Sequence, residues 1–277
     1  MLRKVLAALL LVAGCVLAPV AVAGFWAANE IVDSDRYVAA VGPLADDPAV
    51  QSAVTERLTD EIVQYLPLDR AVRGAVQRVV TSDAFARAWT EANRVAHDQL
   101  DALLSGEGGG SLVTEDGTTV SLDLGPLING IKQQLVASGL TFAGRIPAAH
   151  PTIELVQVED LAFYQSLYQW AAKLKWVLPG LTVVLLVLGV LAARRRSRAL
   201  VWTGLGLALG MAVLAGVLAW ARSGYLGATG TKGLDPAAAA AFFDALTRSL
   251  WIGLLVIGVA GLLLAVGAWL TGRHRRT

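Results

Sequence analysis

The sequence has little charge, few histidines and a single cysteine. Of its 277 residues, 16% are charged and 55% are hydrophobic, and the only thiol is that of Cys15. A soluble domain of this length would carry about a quarter charged residues. One cysteine excludes an intrachain disulfide. The formal net charge of +1 is not the strongly basic balance of a nucleic-acid-binding protein, so we predict no nucleic-acid partner.

Motifs that carry catalysis or ligand binding are also missing. The sequence has no Gly-x-Ser-x-Gly turn, no phosphate-binding Gly-x-x-x-x-Gly-Lys-Ser/Thr loop, no His-Glu-x-x-His helix and no cysteine pair. The remaining candidates are explained as structural or surface groups, helix caps or a turn: His97, His150, His274, Asp33, Asp35, Asp46, Asp47 and Glu115-Asp116-Gly117. We therefore predict no catalytic, cofactor-binding or metal-binding residue, and a protein that is not an enzyme.

Four long stretches contain no charged residue and no histidine. They cover residues 5–28, 176–193, 199–221 and 249–271, and each holds 18 to 24 residues. A helix needs roughly 20 residues to cross the hydrocarbon core of a bilayer. Their length and the lack of alternation favour helices over barrel strands. The sequence thus predicts four transmembrane helices, and because none carries an ionisable group, they lack the chemistry of a proton or ion pathway.

Charge is distributed unequally between the segments that join these helices. Residues 29–175 hold 20 acids and 11 bases, and the loop 222–248 holds three bases and two acids. The short segments 1–4, 194–198 and 272–277 contain no acid and nine bases, which are Arg3, Lys4, Arg194, Arg195, Arg196, Arg198, Arg273, Arg275 and Arg276. This is the positive-inside pattern. It predicts cytoplasmic termini, a cytoplasmic turn at 194–198, and two extracytoplasmic segments, 29–175 and 222–248.

Tryptophan placement agrees with these boundaries. Six of the eight tryptophans lie at ends of the predicted spans, where an indole ring prefers the interface: Trp26, Trp176, Trp202, Trp220, Trp251 and Trp269. We interpret them as interface anchors.

The first apolar stretch has three interpretations. A cleavable signal peptide is one interpretation, suggested by Arg3-Lys4, a short apolar run and Ala21-Val22-Ala23. A lipoprotein is another, because Val12-Ala13-Gly14-Cys15 is typical of a lipobox in which Cys15 is lipidated. The apolar stretch continues to residue 28, which is longer than the apolar region of an ordinary signal peptide, and it stays too apolar after Cys15 for a lipoprotein. The sequence favours an uncleaved anchor.

Residues 29–175 form a predicted extracytoplasmic domain that is mostly helical. Asp47-Pro48 and Ser82-Asp83 are helix starts. Apolar positions at helical spacing predict three helices that share one core. The positions in the three helices are, in order, Val50, Val54, Leu58, Ile62 and Tyr65; Val72, Val76 and Val79; and Phe85, Trp89, Ala92, Ala96, Leu100 and Leu103. One further helix is predicted at 127–137.

The rest of this domain leads toward the second span. Residues 112–114 and 119–122 predict a small β-hairpin, with residues 152–158 as a strand beside it. From Asp160 a helix is predicted with Phe163, Leu167, Trp170 and Leu174 on one side. The predicted fold class is therefore mainly α, with four transmembrane helices and a helical extracytoplasmic domain that carries one hairpin.

Two smaller features concern helix packing. In the loop 222–248, Asp235-Pro236 predicts a short helix with Phe242, Phe243 and Leu246 as apolar residues, lying on the membrane or docked on the outer domain. Gly206-x-x-x-Gly210, reinforced by Gly216, predicts a helix-packing face. That face serves either contacts within the bundle or self-association, and the sequence leaves homo-oligomerisation open.

Several segments together resemble a known family. They are Asp-x-Asp-Arg-Tyr-Val at 33–38, Pro-Leu-Ala at 43–45, Asp-Pro-Ala-Val-Gln at 47–51 and Trp-Thr-Glu-Ala-Asn-Arg-Val-Ala-His at 89–97. With the order of the spans, the chain resembles a family of four-span integral membrane proteins of high-GC Gram-positive bacteria, for which no activity is established. The resemblance implies topology and envelope location only.

These observations predict a non-enzymatic protein of the cell envelope. A sizeable outer domain on spans without transport chemistry favours a scaffold or interaction protein, whose partner is the lipid bilayer and an envelope protein, a wall polymer or a lipid. The alternative is a ligand sensor or an accessory subunit of a transporter. Neither interpretation requires a cofactor.

Overall fold

A computed structural model describes residues 2–30, 32–63, 69–106, 112–113, 119–123, 152–231 and 235–274. The helices are α1 (Leu2–Glu30), α2 (Ser34–Val41), α3 (Pro48–Val63), α4 (Asp69–Val80), α5 (Asp83–Ser105), α6 (Val158–Ala192), α7 (Arg196–Thr231) and α8 (Pro236–His274). A 3-10 turn covers Gly42–Asp46, and the strands are β1 (Leu112–Val113), β2 (Thr119–Asp123) and β3 (Thr152–Gln157). The mainly α fold class is confirmed. The predicted helix at 127–137, His150 and the turn at 115–117 lie outside the described residues, as do Arg275 and Arg276.

Within the part of the chain that the structure describes, four helices are long and apolar enough to cross a membrane. Their apolar parts are Arg3–Glu30 in α1, Lys173–Ala192 in α6, Arg196–Ala228 in α7 and Pro236–Thr271 in α8. Length and composition therefore indicate a multi-pass membrane protein.

The chain divides into two compact units. The first, called the span unit here, comprises Met1–Asn29, Ala171–Tyr225 and Thr247–Thr277. The second, called the polar unit, comprises Glu30–Trp170 and Leu226–Leu246.

Local sequence fixes the helix starts of the polar unit. The carboxylate of Asp47 accepts hydrogen bonds from the backbone N–H of Ala49 (2.8 Å) and Val50 (3.3 Å), and Pro48 follows it at the first helical position. The hydroxyl of Ser82 accepts from the N–H of Phe85 and caps α5. Both predicted caps are confirmed. At its other end α5 stops at Gly106, whose φ of 84° lies in the left-handed region that favours glycine.

Val50, Val76 and Leu103 are buried as predicted, but the core of the polar unit extends beyond the three predicted helices. Val41, Leu44 and Val50 form one buried cluster, and Tyr37, Val54 and Trp89 pack against it. Ala238, Ala241, Phe242, Ala245 and Leu246, from the start of α8, complete it. Leu58 and Leu100, which were predicted to face the core, are 41% and 38% exposed.

The helix predicted within the loop 222–248 is not a separate short helix. It is the beginning of α8, which continues as one helix to His274. Asp235 accepts from the N–H groups of Ala237 (2.7 Å) and Ala238 (3.3 Å), Pro236 opens the helix, and the following run contains no glycine or proline before the apolar span. Phe242 packs against the cluster of Val41, Leu44 and Val50. This confirms docking on the outer domain, one of the two predicted placements.

The three strands form one antiparallel sheet in the order β1-β2-β3. Leu112 lies opposite Leu122, and Thr119 opposite Gln157, with an irregularity between Val120 and Ser121. Two of these strands occupy segments predicted for the hairpin. Residues 114–118 lie outside the described residues, so the connecting turn stays a prediction.

Candidate functional site

His97 is buried within the polar unit rather than placed at its surface. Its side chain is 7% exposed, its Nδ1 lies 3.0 Å from the hydroxyl oxygen of Ser34, and its ring stacks on Tyr37 with centroids 4.4 Å apart. A serine beside a histidine nitrogen is the first element of a nucleophilic pair. Here the contacts of His97 with Ser34 and Tyr37 hold α2 against α5. Burial raises the pKa of the Tyr37 phenol.

The carboxylates predicted to be caps or solvated groups have such roles here. Asp33 accepts from the N–H of Arg36 and caps α2, Asp35 pairs with Arg94 at 2.7 Å, and Asp46 is exposed. The hydrogen bond to Asp35 raises the pKa of the Arg94 guanidinium. Among the described residues there is no group of three or more His, Cys, Asp or Glu side chains that could hold a metal ion.

One face of α6 is attached to the end of α5 by polar side chains. The amide of Gln165 donates to the carbonyl oxygen of Leu103 at 2.9 Å, and that of Gln169 donates to the carbonyl oxygen of Ser105 at 3.4 Å. Between them, the hydroxyl of Tyr168 donates to the carboxylate of Asp101. Partial burial, then the hydrogen bond and the charge of this carboxylate, raise the pKa of the Tyr168 phenol.

The opposite face of α6 carries two exposed aromatic side chains. Phe163 is 66% exposed and Trp170 is 59% exposed. Seven residues are about two helical turns, so both lie on one face, turned away from Gln165, Tyr168 and Gln169. The sequence placed Phe163 and Trp170 together correctly but did not reveal that the polar side of the helix contacts α5. We call Phe163 and Trp170 the aromatic face.

In the span unit, a cavity of about 650 Å³ forms a groove between α1 and α7. Its walls are Ala8, Leu11, Val12, Cys15, Val16 and Pro19 from α1, and Ala199, Trp202, Leu205, Gly206, Leu209, Gly210 and Val213 from α7. None of these lining residues is charged. Val12, Val16 and Leu209 are more than 60% exposed, so the groove is open along its length. Sequence analysis missed this groove, although the glycine pair in α7 was a signal for it.

Gly206 and Gly210 lie directly against α1. A Cβ atom added to Gly206 would lie 2.6 Å from Cys15 Sγ, and one added to Gly210 would lie 3.2 Å from the Cys15 carbonyl oxygen. This pair is therefore occupied within the bundle. Gly216 does not share the contact, since a Cβ there would meet no described atom within 4 Å.

Similarly close helix contacts occur at glycines that the sequence did not single out. A Cβ on Gly261 of α8 would lie 2.8 Å from the carbonyl oxygen of Gly204 in α7. A Cβ on Gly14 or on Gly189 would lie 2.6 Å from Leu186 or Leu11 respectively, which joins α1 to α6. The spacing of four in Gly206-x-x-x-Gly210 was a visible motif, whereas these contacts depend on pairs from distant helices.

The polar hydroxyls inside the spans are bonded within their own helices. Thr182 donates to the carbonyl oxygen of Leu178 at 2.8 Å, and Thr203 donates to that of Ala199 at 2.9 Å. Both side chains are buried. The hydroxyl hydrogen of each threonine is therefore used within its own helix.

The predicted topology residues are at helix ends and mostly exposed. Arg3 and Lys4 lie in the first turn of α1, and the exposed side chains near the start of α7 are Arg194, Arg195, Arg196 and Arg198. Arg273 and His274 belong to the last turn of α8.

The predicted interface anchors include four strongly exposed indoles. The exposed fractions are 70% for Trp176, 66% for Trp202, 77% for Trp220 and 53% for Trp269. Trp26 and Trp251 are partly buried, and the ring of Trp176 meets Phe25 edge-on at 5.3 Å. Exposure to the surroundings is what an anchor at the headgroup level requires.

Comparison with known proteins finds no matching protein-family model and no curated protein or solved structure with significant similarity. The resemblance to the four-span family of high-GC Gram-positive bacteria therefore stays a prediction.

Proposed function

We propose that the protein is a non-enzymatic scaffold or interaction protein of the cell envelope that acts through residues 29–175. The aromatic face of α6 carries this proposal. In water, a helix normally buries its apolar stripe and exposes its polar one, but α6 uses Gln165, Tyr168 and Gln169 for internal contacts. Large aromatic side chains left exposed by such an arrangement are typical of a binding surface.

Position along α6 distinguishes the two aromatic side chains. Trp170 lies three residues before Lys173, where the span begins, and can also serve as an interface anchor. Phe163 lies ten residues before Lys173, which is about 15 Å from it along the helix axis. Phe163 is therefore the residue through which a partner of the outer domain is best detected.

A photo-crosslinking amino acid placed at residue 163 tests the proposal in intact cells. We expect a discrete crosslinked species from this position in the full-length protein, and its loss when Trp170→Ala is added. The matched control position is Leu58, which is also an exposed apolar side chain of the polar unit. Equal capture from residues 163 and 58, or none from 163, would contradict the proposal.

The alternative is a ligand sensor or an accessory subunit of a transporter. It is favoured by one observation: α6 and α8 each run as one helix from the polar unit into a span.

Hydrogen exchange of the full chain, with and without soluble wall fragments, discriminates the two functions. A sensor predicts altered protection in the span amides of α6 and α8 as well as in the polar unit. A scaffold predicts altered protection around the aromatic face alone.

The proposal includes location in the bacterial plasma membrane, with both termini and the turn at 194–198 in the cytoplasm. Support comes from the nine bases without an acid in the three short segments. A phosphatase fused at Gly108, which is active only outside the cytoplasm, should be active. A fusion at Thr277 should be inactive, and the reverse pattern would invert the topology.

A further inference from the structure

The two helices that form the groove run in the same direction. Gly206 contacts Cys15, and Gly210, one turn later, contacts Pro19, one turn after Cys15. Their N-terminal ends are thus at the same end of the groove, next to Ala8 and Ala199.

Basic side chains lie at that end of the groove. Lys4 precedes Ala8 by four residues and Arg198 precedes Trp202 by four, so each shares a helix face with a lining residue one turn away. Both side chains are exposed. The N-terminal ends of two helices add partial positive charge at the same place. Charge at the mouth of the groove therefore favours an anion.

The length of the groove fits one leaflet of a bilayer rather than its full thickness. From Ala8 to Pro19 α1 rises about 17 Å, and from Ala199 to Val213 α7 rises about 21 Å, against about 30 Å for the whole hydrocarbon core. A partner helix crossing the membrane would extend well beyond the groove. An acyl chain held by its headgroup at one surface would not.

We infer that the groove between α1 and α7 binds an anionic phospholipid, with its phosphate at Lys4 and Arg198 and an acyl chain along the apolar walls. Val12, Val16 and Leu209 form the open rim. Gly206 and Gly210, packed against α1, bring the two walls together at the floor. This inference is independent of the function proposed for the outer domain, since it concerns only the span unit.

The first test removes the charge and keeps the groove. Full-length protein is equilibrated in mixed micelles with phosphatidylglycerol and phosphatidylcholine of identical acyl chains, and retained lipids are counted by native mass spectrometry. The wild-type chain should retain phosphatidylglycerol preferentially. The double variant Lys4→Gln/Arg198→Gln should lose about thirty-fold of this preference, from the attraction ascribed to each basic residue near a membrane surface.

The matched control, Arg3→Gln/Arg273→Gln, loses the same charge at other places. Arg3 shares its face with Ala7 and Leu10, which do not line the groove, and α8 contributes no lining residue. The control should keep the preference. Equal retention of the two lipids by the wild-type protein, or an equal loss in both double variants, would overturn the inference.

The second test fills the groove and keeps the charge. Val16→Trp/Leu209→Trp should abolish retention of the phospholipid. The control Val187→Trp/Leu263→Trp changes side chains that are 50% and 67% exposed on α6 and α8, and it should retain the lipid. Retention by the filled variant would overturn the inference. A second result would also overturn it: a dimeric wild-type protein and a monomeric filled variant that still retains lipid. A second copy of the chain would then occupy the groove.

Discussion

Helices in the two units are held together by different means. In the span unit, α7 meets α8 at Gly204 and Gly261 and meets α1 at Gly206, so backbones approach without intervening side chains. In the polar unit, a small apolar core is supplemented by side-chain hydrogen bonds such as those of Tyr168 and Gln165. Lipid tails are as apolar as leucine, so apolar burial does not drive spans together and close packing must do so. In water, burial of apolar side chains is itself favourable, so the polar unit combines a buried apolar cluster with side-chain hydrogen bonds.

The largest effect should follow from adding one methyl group between two spans. In Gly204→Ala, the new Cβ would lie 2.8 Å from Ala265 N and against the carbonyl oxygen of Gly261. The helices must separate, and we expect a loss of about 3 kcal/mol in the free energy of unfolding. Gly216→Ala in the same helix is the control, because its Cβ would meet no described atom within 4 Å. Thermal unfolding in one detergent compares them, and equal melting temperatures would contradict the glycine contact.

A smaller effect should follow from removing an aromatic ring in the polar unit. Phe242 packs on the cluster of Val41, Leu44 and Val50, and its ring centroid lies 6.4 Å from that of Trp89. Since Phe242 is only partly buried, we expect Phe242→Ala to cost about 2 kcal/mol.

The control for this variant is Leu58→Ala, at an exposed position, which should stay within about 0.5 kcal/mol. Amide hydrogen exchange of α3 and α5 measures both variants. Unchanged protection in Phe242→Ala would remove the start of α8 from the core.

Alkaline pH should weaken the polar links and leave glycine contacts unaffected. The folded pKa of Tyr168 is raised above its ordinary value of 10.0, as is that of Tyr37. The stabilising contribution is therefore complete below about pH 10 and is lost as pH rises toward the folded pKa. We expect the melting temperature to fall above about pH 10, less steeply in Tyr168→Phe and least in Tyr37→Phe/Tyr168→Phe. The same slope in all three proteins would refute the assignment.

The smallest effect should come from the surface ion pair. Asp35 is 84% exposed and Arg94 is 40% exposed, so water competes for both groups. Arg94→Gln should leave the melting temperature unchanged in both low and high salt. A fall of more than about 2 °C would mean that this exposed pair does support the junction of α2 and α5.

What the sequence predicted well was local. Uncharged stretches located the four long helices, and Asp47 and Ser82 marked helix starts because a cap acts on residues two or three positions away. The docking side of the loop helix was left open, because the partners of Phe242 are about 200 residues earlier in the chain. Leu58 and Leu100 failed as core residues for the same reason: helical spacing defines a face but not the element that covers it.

The candidate sites depended still more on tertiary placement. Phe163 and Trp170 were correctly put on one side of a helix, but their exposure results from contacts of the opposite face with α5. The groove forms only because α1 and α7 pack side by side with particular residues opposite each other. No motif in either helix predicts that pairing by itself. Gly206-x-x-x-Gly210 predicted that a packing face exists, without naming α1 as its neighbour.

The position of Cys15 has a practical consequence for experiments on the native chain. Its sulfur lines the groove beside Gly206, and the sequence contains no other thiol. A membrane-permeable maleimide would consequently label one known place without any engineered cysteine. Slower alkylation after lipid is added would then report, in real time and on unmodified protein, that a molecule has entered beside this sulfur.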